Sequence, residues 1–235
     1  MNKFQYIYDN YTALRGEIRD IAARLGSPEP TLVAVTKSGS DEELIEIAKL
    51  SPDIAENRPG ELLRRGGLLG DLGLAPRLHQ IGSLQRNKVR MIIRCVHLIH
   101  SLDSLRLAAE IDKEAAKCQR KIPVLIEINS AKEESKGGIM PEEAEEFFLA
   151  LGEYKNISVV GLMTMGSADG GARECFRQTK QIFDGIHKKY GFDTDSPILS
   201  MGMSDSYVEA IEEGATMVRI GHRLFTKNEG DKSNV

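Results

Sequence analysis

Residues Thr31–Asn57 read TLVAVTKSGSDEELIEIAKLSPDIAEN. The run from Thr31 to Thr36 is apolar and β-branched, which is the composition of a strand. A polar turn containing Gly39 follows, and Ser40-Asp41 marks a helix start ahead of Leu44, Ile45 and Ile47 at helical spacing. Ser51-Pro52 breaks that helix, and Asp53–Asn57 returns to strand. A strand, a helix and a second strand in so short a span form a βαβ unit, whose two strands lie parallel. Lys37 stands where the chain leaves the first strand. An ammonium there is either a solvated strand end or a chemical site, because burying it unanswered costs free energy.

The same alternation continues along the chain. Strand candidates are TLVAVT from Thr31, DIAEN from Asp53, RLHQIG from Arg77, VHLIHS from Val96, PVLIEIN from Pro123, ISVVGLM from Ile157, PILSMG from Pro197 and TMVRIG from Thr216. Helix-period segments separate them, several opening on a cap or first-turn residue: Ser40-Asp41, Asp103-Ser104, Pro141-Glu142 and Ser204-Asp205. Near-continuous apolar strands imply a parallel sheet buried on both faces. Eight βα units predict a single (β/α)8 TIM barrel, with an open doubly wound sheet as the alternative. Phe4, Ile7, Tyr11, Leu14, Ile18, Ile21 and Leu25 predict an additional N-terminal helix over about 2–25. No stretch has linker composition, so residues 1–235 read as one domain with a frayed tail over 227–235.

At 235 residues, 41% hydrophobic and 28% charged, the chain has the composition of a globular protein able to bury a full core. A net charge of -4 gives no general attraction to nucleic acid or to an anionic membrane, and neither is expected as a partner. The opening residues lack a basic segment followed by an apolar one, and no run approaches a membrane span. Cys95, Cys118 and Cys175 are odd in number and widely spaced, as unpaired thiols in a reducing compartment would be. The expected location is the cytoplasm.

In a parallel barrel the chemistry sits at the carboxyl ends of the strands. Those ends supply Lys37, then Glu56 and Asn57, then His79, then Glu127 and Asn129, then Met163 and Thr164. The seventh gives Ser200, Gly202 and Ser204, and the eighth gives Arg219, Gly221 and His222. Small residues in SMGMSD and RIGH would expose backbone N–H groups to an anion, although ordinary turn chemistry explains them equally well. An amine at the mouth of a barrel, partly desolvated and near the cation Arg219, would be a nucleophile toward an aldehyde. Two chemistries use such a lysine: an aldolase-type Schiff base with a carbonyl substrate, and pyridoxal phosphate held by the same bond.

LVAVTKS, AENRPGEL, LHQIGSLQRNK, VLIEINSAKEESKGGI, GLMTMG, LSMGMSDSYVEAIEEGATMVRIG and RLF follow one another from Leu32 to Phe225. They resemble the successive signatures of the pyridoxal phosphate homeostasis protein family. The resemblance implies a barrel like that of alanine racemase, with pyridoxal 5'-phosphate (PLP) joined to Lys37 as a Schiff base. It implies a phosphate segment of Ser200, Met201, Gly202 and Ser204, completed by Gly221 and His222, and Arg219 facing the pyridine nitrogen. Asn57 and His79 fall in motifs that line the pocket, with Met163 and Met201 as apolar walls. The implied function is to buffer or deliver PLP and so to balance vitamin B6 and amino-acid pools, as a monomer with transient apo PLP-enzymes as partners. The chain departs from the family pattern at Arg58-Pro59-Gly60-Glu61, and at Leu78, where a Trp is usual.

The alternative function is a PLP-dependent amino-acid racemase of low activity, or a cofactor-free aldolase-type lyase. An arginine at the ring nitrogen keeps its proton and leaves the ring a weak electron sink. Racemisation also needs a base on each face of the substrate carbon. No second domain to deliver an opposing tyrosine is evident, and among the six tyrosines Tyr207 alone has a plausible location, with helix packing the simpler role. His97 and His100 alternate with apolar residues and read as structural rather than metal ligands. GGLLGDLG from Gly66 lacks the strand–turn–helix setting of a dinucleotide site. KEESKGGI from Lys132 is expected to be a mobile loop over the mouth, with Lys136 a secondary aldehyde acceptor.

Overall fold

In the computed structural model, which describes residues 3–133, 136–167 and 170–227, every strand expected from the sequence forms. They are β1 (Thr31–Val35), β2 (Asp53–Glu56), β3 (Arg77–Gln80), β4 (Leu98–Leu102), β5 (Ile122–Ile128), β6 (Ile157–Thr164), β7 (Ile198–Ser200) and β8 (Met217–Ile220). Each pairs in parallel with the next, and β8 closes on β1 with Val33 opposite Arg219. The chain is a (β/α)8 barrel rather than an open sheet. Most of the expected tail, 228–235, lies outside the described residues, as do 134 and 135 of the KEESKGGI loop.

Strand alternation divides the core in two. Leu32 and Ala34 point outward into the layer between sheet and helices, whereas Val33 and Val35 point inward with Ala55, Leu98, Leu125, Val160, Met163 and Met217. Outside lie α1 (Gln5–Leu25), α2 (Asp41–Ala48), α3 (Pro59–Asp71), α4 (Val89–Ile92), α5 (Leu105–Lys117), α6 (Ala144–Ala150), α7 (Ala172–Tyr190), α8 (Tyr207–Glu212) and α9 (His222–Phe225). The additional helix α1 packs on α2, α8 and α9. Tyr6 donates to Glu43 and Tyr8 to Glu46 on α2, while Glu17 accepts from Tyr207 and Arg223 on the other side.

Helix boundaries follow local chemistry. Ser40 caps α2 through a reciprocal box with Glu43, and Ser104 caps α5 by accepting from the Leu107 N–H. The GGLLGD stretch belongs to α3 itself, because Leu62 and Leu69 remain in register with the core through the glycines. The helix after β7 starts at Tyr207 rather than near Ser204: Ser206 Oγ accepts from the Met203 N–H and turns the chain for one more step.

Candidate functional site

The turn that carries Lys37 is clamped from behind. Thr36 closes β1 as a fully buried residue, and its Oγ1 donates to Glu56 Oε1 at 2.5 Å. Arg65, reaching in from α3, donates to Thr36 O at 2.5 Å, to Glu56 Oε1 at 2.7 Å and to Gly39 O at 2.7 Å. Both backbone flanks of Lys37 are therefore tied to one guanidinium, and the guanidinium to a buried carboxylate. Lys37 continues the inward parity of Val33 and Val35, yet it has left the strand, and its side chain is exposed rather than partly desolvated.

Below the mouth, the barrel interior is polar along one line. Arg77 Nη2 donates to Asp53 Oδ2 at 2.6 Å, and Asp53 Oδ1 lies 2.9 Å from His79 Nε2. His79 Nδ1 is 3.0 Å from His100 Nε2, and His100 Nδ1 is 3.1 Å from Ser200 Oγ. Arg219 Nη1 donates to that same Ser200 oxygen at 2.6 Å, and its Nη2 donates to Thr164 O at 3.1 Å. Asp53, His79, His100, Ser200 and Arg219 are all buried. Burial alone would raise the Asp53 carboxyl, but hydrogen bonds from His79 and Arg77 outweigh it and hold the group below its ordinary value. Burial, with the neighbouring His79 and Arg219 adding to it, pushes His100 far down and keeps it neutral.

Two ionisable groups face each other at the top of this line. Burial lowers Arg219 to about 10, opposed by Glu127, so it remains a cation near neutrality. Burial and the charge of Asp103 raise Glu127 to about 7, opposed by Arg219. Beside them, the loop after β7 is tied to β8 by the Arg219 N–H donating to Gly202 O. Gly202 has φ +91, and a Cβ there would meet Ala210 Cβ at 2.5 Å. At Gly221 a Cβ would meet Val35 O at 2.8 Å, which lets β8 lie close against the β1 exit. Among the described residues the N–H groups of Gly202, Ser204, Gly221 and His222 make no backbone–backbone hydrogen bond.

The structure gathers some expected site residues and disperses others. Lys37, Asn57, Gly202, Ser204, Gly221 and His222 lie on loops at one end of the barrel, and Met163, Ser200 and Arg219 point inward beneath them. His79 does not line an open pocket; it is buried between Asp53 and His100. Met201 faces outward into the helix layer with Tyr207 and Leu224 rather than forming a wall inside the barrel, because it has the opposite parity from Ser200. Asn57 opens onto a groove of about 420 Å³ lined also by Arg58, Pro59, Ser83, Lys88 and Met91, so the RPGE departure shapes this flank. Leu78 packs on the Gly66 backbone of α3, where a Cβ on Gly66 would come within 2.6 Å. Lys136 donates to Glu133 and to Gly166 O, which commits its amine. The clamp residue Arg65, which beside Arg64 reads in the sequence as part of a solvated helix face, is buried on Glu56 instead, and the floor residue Asp53 belongs to no motif. The parity of Asp53 with Ala55 was the available signal for one, and nothing local pointed to the other.

A closed parallel barrel with a lysine at the exit of its first strand and a buried arginine in its eighth defines a barrel of the alanine racemase type, and residues 10–229 match the alanine racemase N-terminal domain family. The Pyridoxal phosphate homeostasis protein of Aquifex aeolicus is 44% identical over 173 residues, covering 72% of this chain and 74% of that protein. Its namesake in Helicobacter pylori strain 26695 is 38% identical over 200 residues, covering 83% and 86%. The chain belongs to the pyridoxal phosphate homeostasis protein family. PipY from Synechococcus elongatus PCC7942, solved with PLP bound, matches at TM-score 0.79 and 26% identity, over 94% of this chain and 100% of that one. No helix among the described residues is long and apolar enough to cross a membrane.

Proposed function

We propose that this protein binds pyridoxal 5'-phosphate through the Lys37 amine and acts in PLP homeostasis, as its relatives' name states for them. The observation that carries the reading is the exposed Lys37, on a turn whose backbone the Arg65–Glu56 clamp holds at the end of β1, the strand that pairs in register with the one bearing Arg219. When bound, the cofactor supplies an aldehyde that a primary amine can hold and a ring that withdraws electrons.

The chain's own groups fit that cofactor. Lys37 presents a primary amine to solvent at the mouth. N–H groups on the Gly202–Ser204 and Gly221–His222 loops are donors without backbone acceptors, suited to phosphate oxygens. Arg219 keeps its proton near neutrality, so it can donate to a ring nitrogen but cannot protonate it. Such a site favours holding the aldehyde over demanding carbanion chemistry.

The exposure of Lys37 suits transfer of the cofactor to apo PLP-enzymes by a monomeric, cytoplasmic carrier. The racemase alternative needs an opposing base, and the tyrosines are committed elsewhere. Tyr207 donates to Glu17, Tyr6 to Glu43, Tyr8 to Glu46, Tyr190 to Glu145 and Tyr154 to Leu105 O, while Tyr11 shares a hydrogen bond with Arg15. The test is an absorbance titration of wild type and Lys37→Ala with PLP. A new visible band in the wild type alone supports the reading; equal bands in both proteins refute it. Turnover of single amino-acid enantiomers by the loaded protein at ordinary enzyme rates would overturn the carrier role.

A further inference from the structure

The buried line from Asp53 to Arg219 admits few proton arrangements. Asp53 is ionised and only accepts, so a His79 ring holding one hydrogen keeps it on Nε2 and its Nδ1 must accept. His100 therefore donates from Nε2, and its own Nδ1 accepts. Across from that Nδ1 the Ser200 hydroxyl holds the only hydrogen available, because Arg219 donates to the Ser200 oxygen from the other side. Ser200 thus spends its hydrogen toward His100 and turns lone pairs to the guanidinium. These tautomers are assigned by donor and acceptor accounting, and every member of the line is satisfied.

A donor in place of the Asp53 oxygen reverses every bond. His79 would carry its hydrogen on Nδ1, His100 likewise, and Ser200 would receive two hydrogen bonds and release its own hydrogen from the line. The floor end is open to solvent through Arg77, half of whose side chain is exposed, and the His97 ring lies 5.6 Å from His79. Because the line spans the interior, a change at the floor is read at the Ser200 hydroxyl beside Arg219.

We propose that His100 is a positioning residue for the cofactor: its Nδ1 takes the Ser200 hydrogen, Ser200 thereby remains a fixed acceptor for Arg219, and Asp53 dictates the tautomer that makes this so. Arg219 is then held at two points, Ser200 Oγ and Thr164 O, with its remaining N–H groups uncommitted by these bonds. The proposal rests on the PLP reading above for its functional consequence, but not for the tautomers themselves.

The experiment is NMR of protein carrying ¹⁵N-labelled histidine, with PLP titrations alongside. Wild type should show His79 and His100 both protonated on Nε2. In Asp53→Asn, Arg77 can only donate and so takes the amide oxygen, leaving the amide N–H for His79 Nε2; both rings should switch to Nδ1–H. Affinity for PLP should fall about tenfold in His100→Leu, where the Ser200 hydroxyl loses its fixed partner, the worth of about one hydrogen bond, and stay within about twofold of wild type in Asp53→Asn, where Ser200 still accepts from Arg219. His100→Gln can accept from Ser200 and donate to His79, so it should restore affinity to within about twofold of wild type. Unswitched rings in Asp53→Asn, or unchanged PLP affinity in His100→Leu, overturn the proposal. Failure of the glutamine to rescue where leucine weakens binding also overturns it. Loss of any Lys37-dependent PLP signal in wild type would instead refute the cofactor reading, and the tautomer measurement, which needs no PLP, still decides the relay.

Discussion

Replacing Glu127 with Gln should stabilise the fold at alkaline pH and leave it unchanged at acid pH. The side chain is 8% exposed, and burial together with Asp103 raises its carboxyl from an ordinary 4.5 to about 7, against the pull of Arg219. A carboxyl whose folded value lies above its unfolded one favours the folded state only while protonated. That contribution is complete below about 4.5, drains as the pH rises, and is gone above about 7. At ~1.4 kcal/mol per pH unit the loss across this window is about 3 kcal/mol. Glutamine keeps the shape and cannot ionise. The variant should therefore match wild type near pH 4 and exceed it by up to about 3 kcal/mol near pH 8, a figure that already includes the pull of Arg219. Urea unfolding of the apo protein at steps between those pH values measures the difference, provided the denaturant slopes agree. If the advantage is absent near pH 8, or is largest at acid pH, the burial argument for this carboxyl is wrong.

Three other substitutions probe separate parts of the account. Arg65→Met strands the buried Glu56 carboxylate and should cost about 3 kcal/mol of stability by urea unfolding, with weaker PLP binding because the Lys37 turn loses its tie; retained stability would show the clamp to be incidental. Gly202→Ala places a Cβ against Ala210 at φ +91 and should cost about 3 kcal/mol in the same assay, and a stable variant that still binds PLP would refute the close-packed turn. Tyr207→Phe breaks the bonds to Glu17 and Arg223 and should lower stability by about 1 kcal/mol while PLP titration is unchanged; loss of PLP binding would return Tyr207 to the site.

The fold was legible because its period is strong. Runs such as VLIEI and VVGLM are buried on both faces and cannot be solvated, so all eight strands were found within about two residues of their ends. Helices were less legible where propensity and tertiary contacts disagree. The glycines of α3 have poor helix propensity, yet Leu62 and Leu69 carry the helix through them, and the serines before α8 read as a cap, yet Ser206 turns the chain later. The outer site was visible at strand ends, with Lys37 the clearest. The inner site was not, because a hydrogen-bond partner such as Ser200 for His100 lies a hundred residues away and leaves no local pattern. Met201 was misplaced because motif membership does not report which face of a strand a residue occupies, and strand parity does; His79 has the inward face but is buried between Asp53 and His100.

The central claim is that Lys37 holds the cofactor, and reductive trapping tests it most directly. Borohydride treatment of the PLP-loaded protein, followed by peptide mapping, should find the added pyridoxyl phosphate on the Lys37 peptide, with Lys136 and the surface lysines unlabelled at stoichiometric PLP. Label on another lysine, or label that persists undiminished in Lys37→Ala, would contradict it.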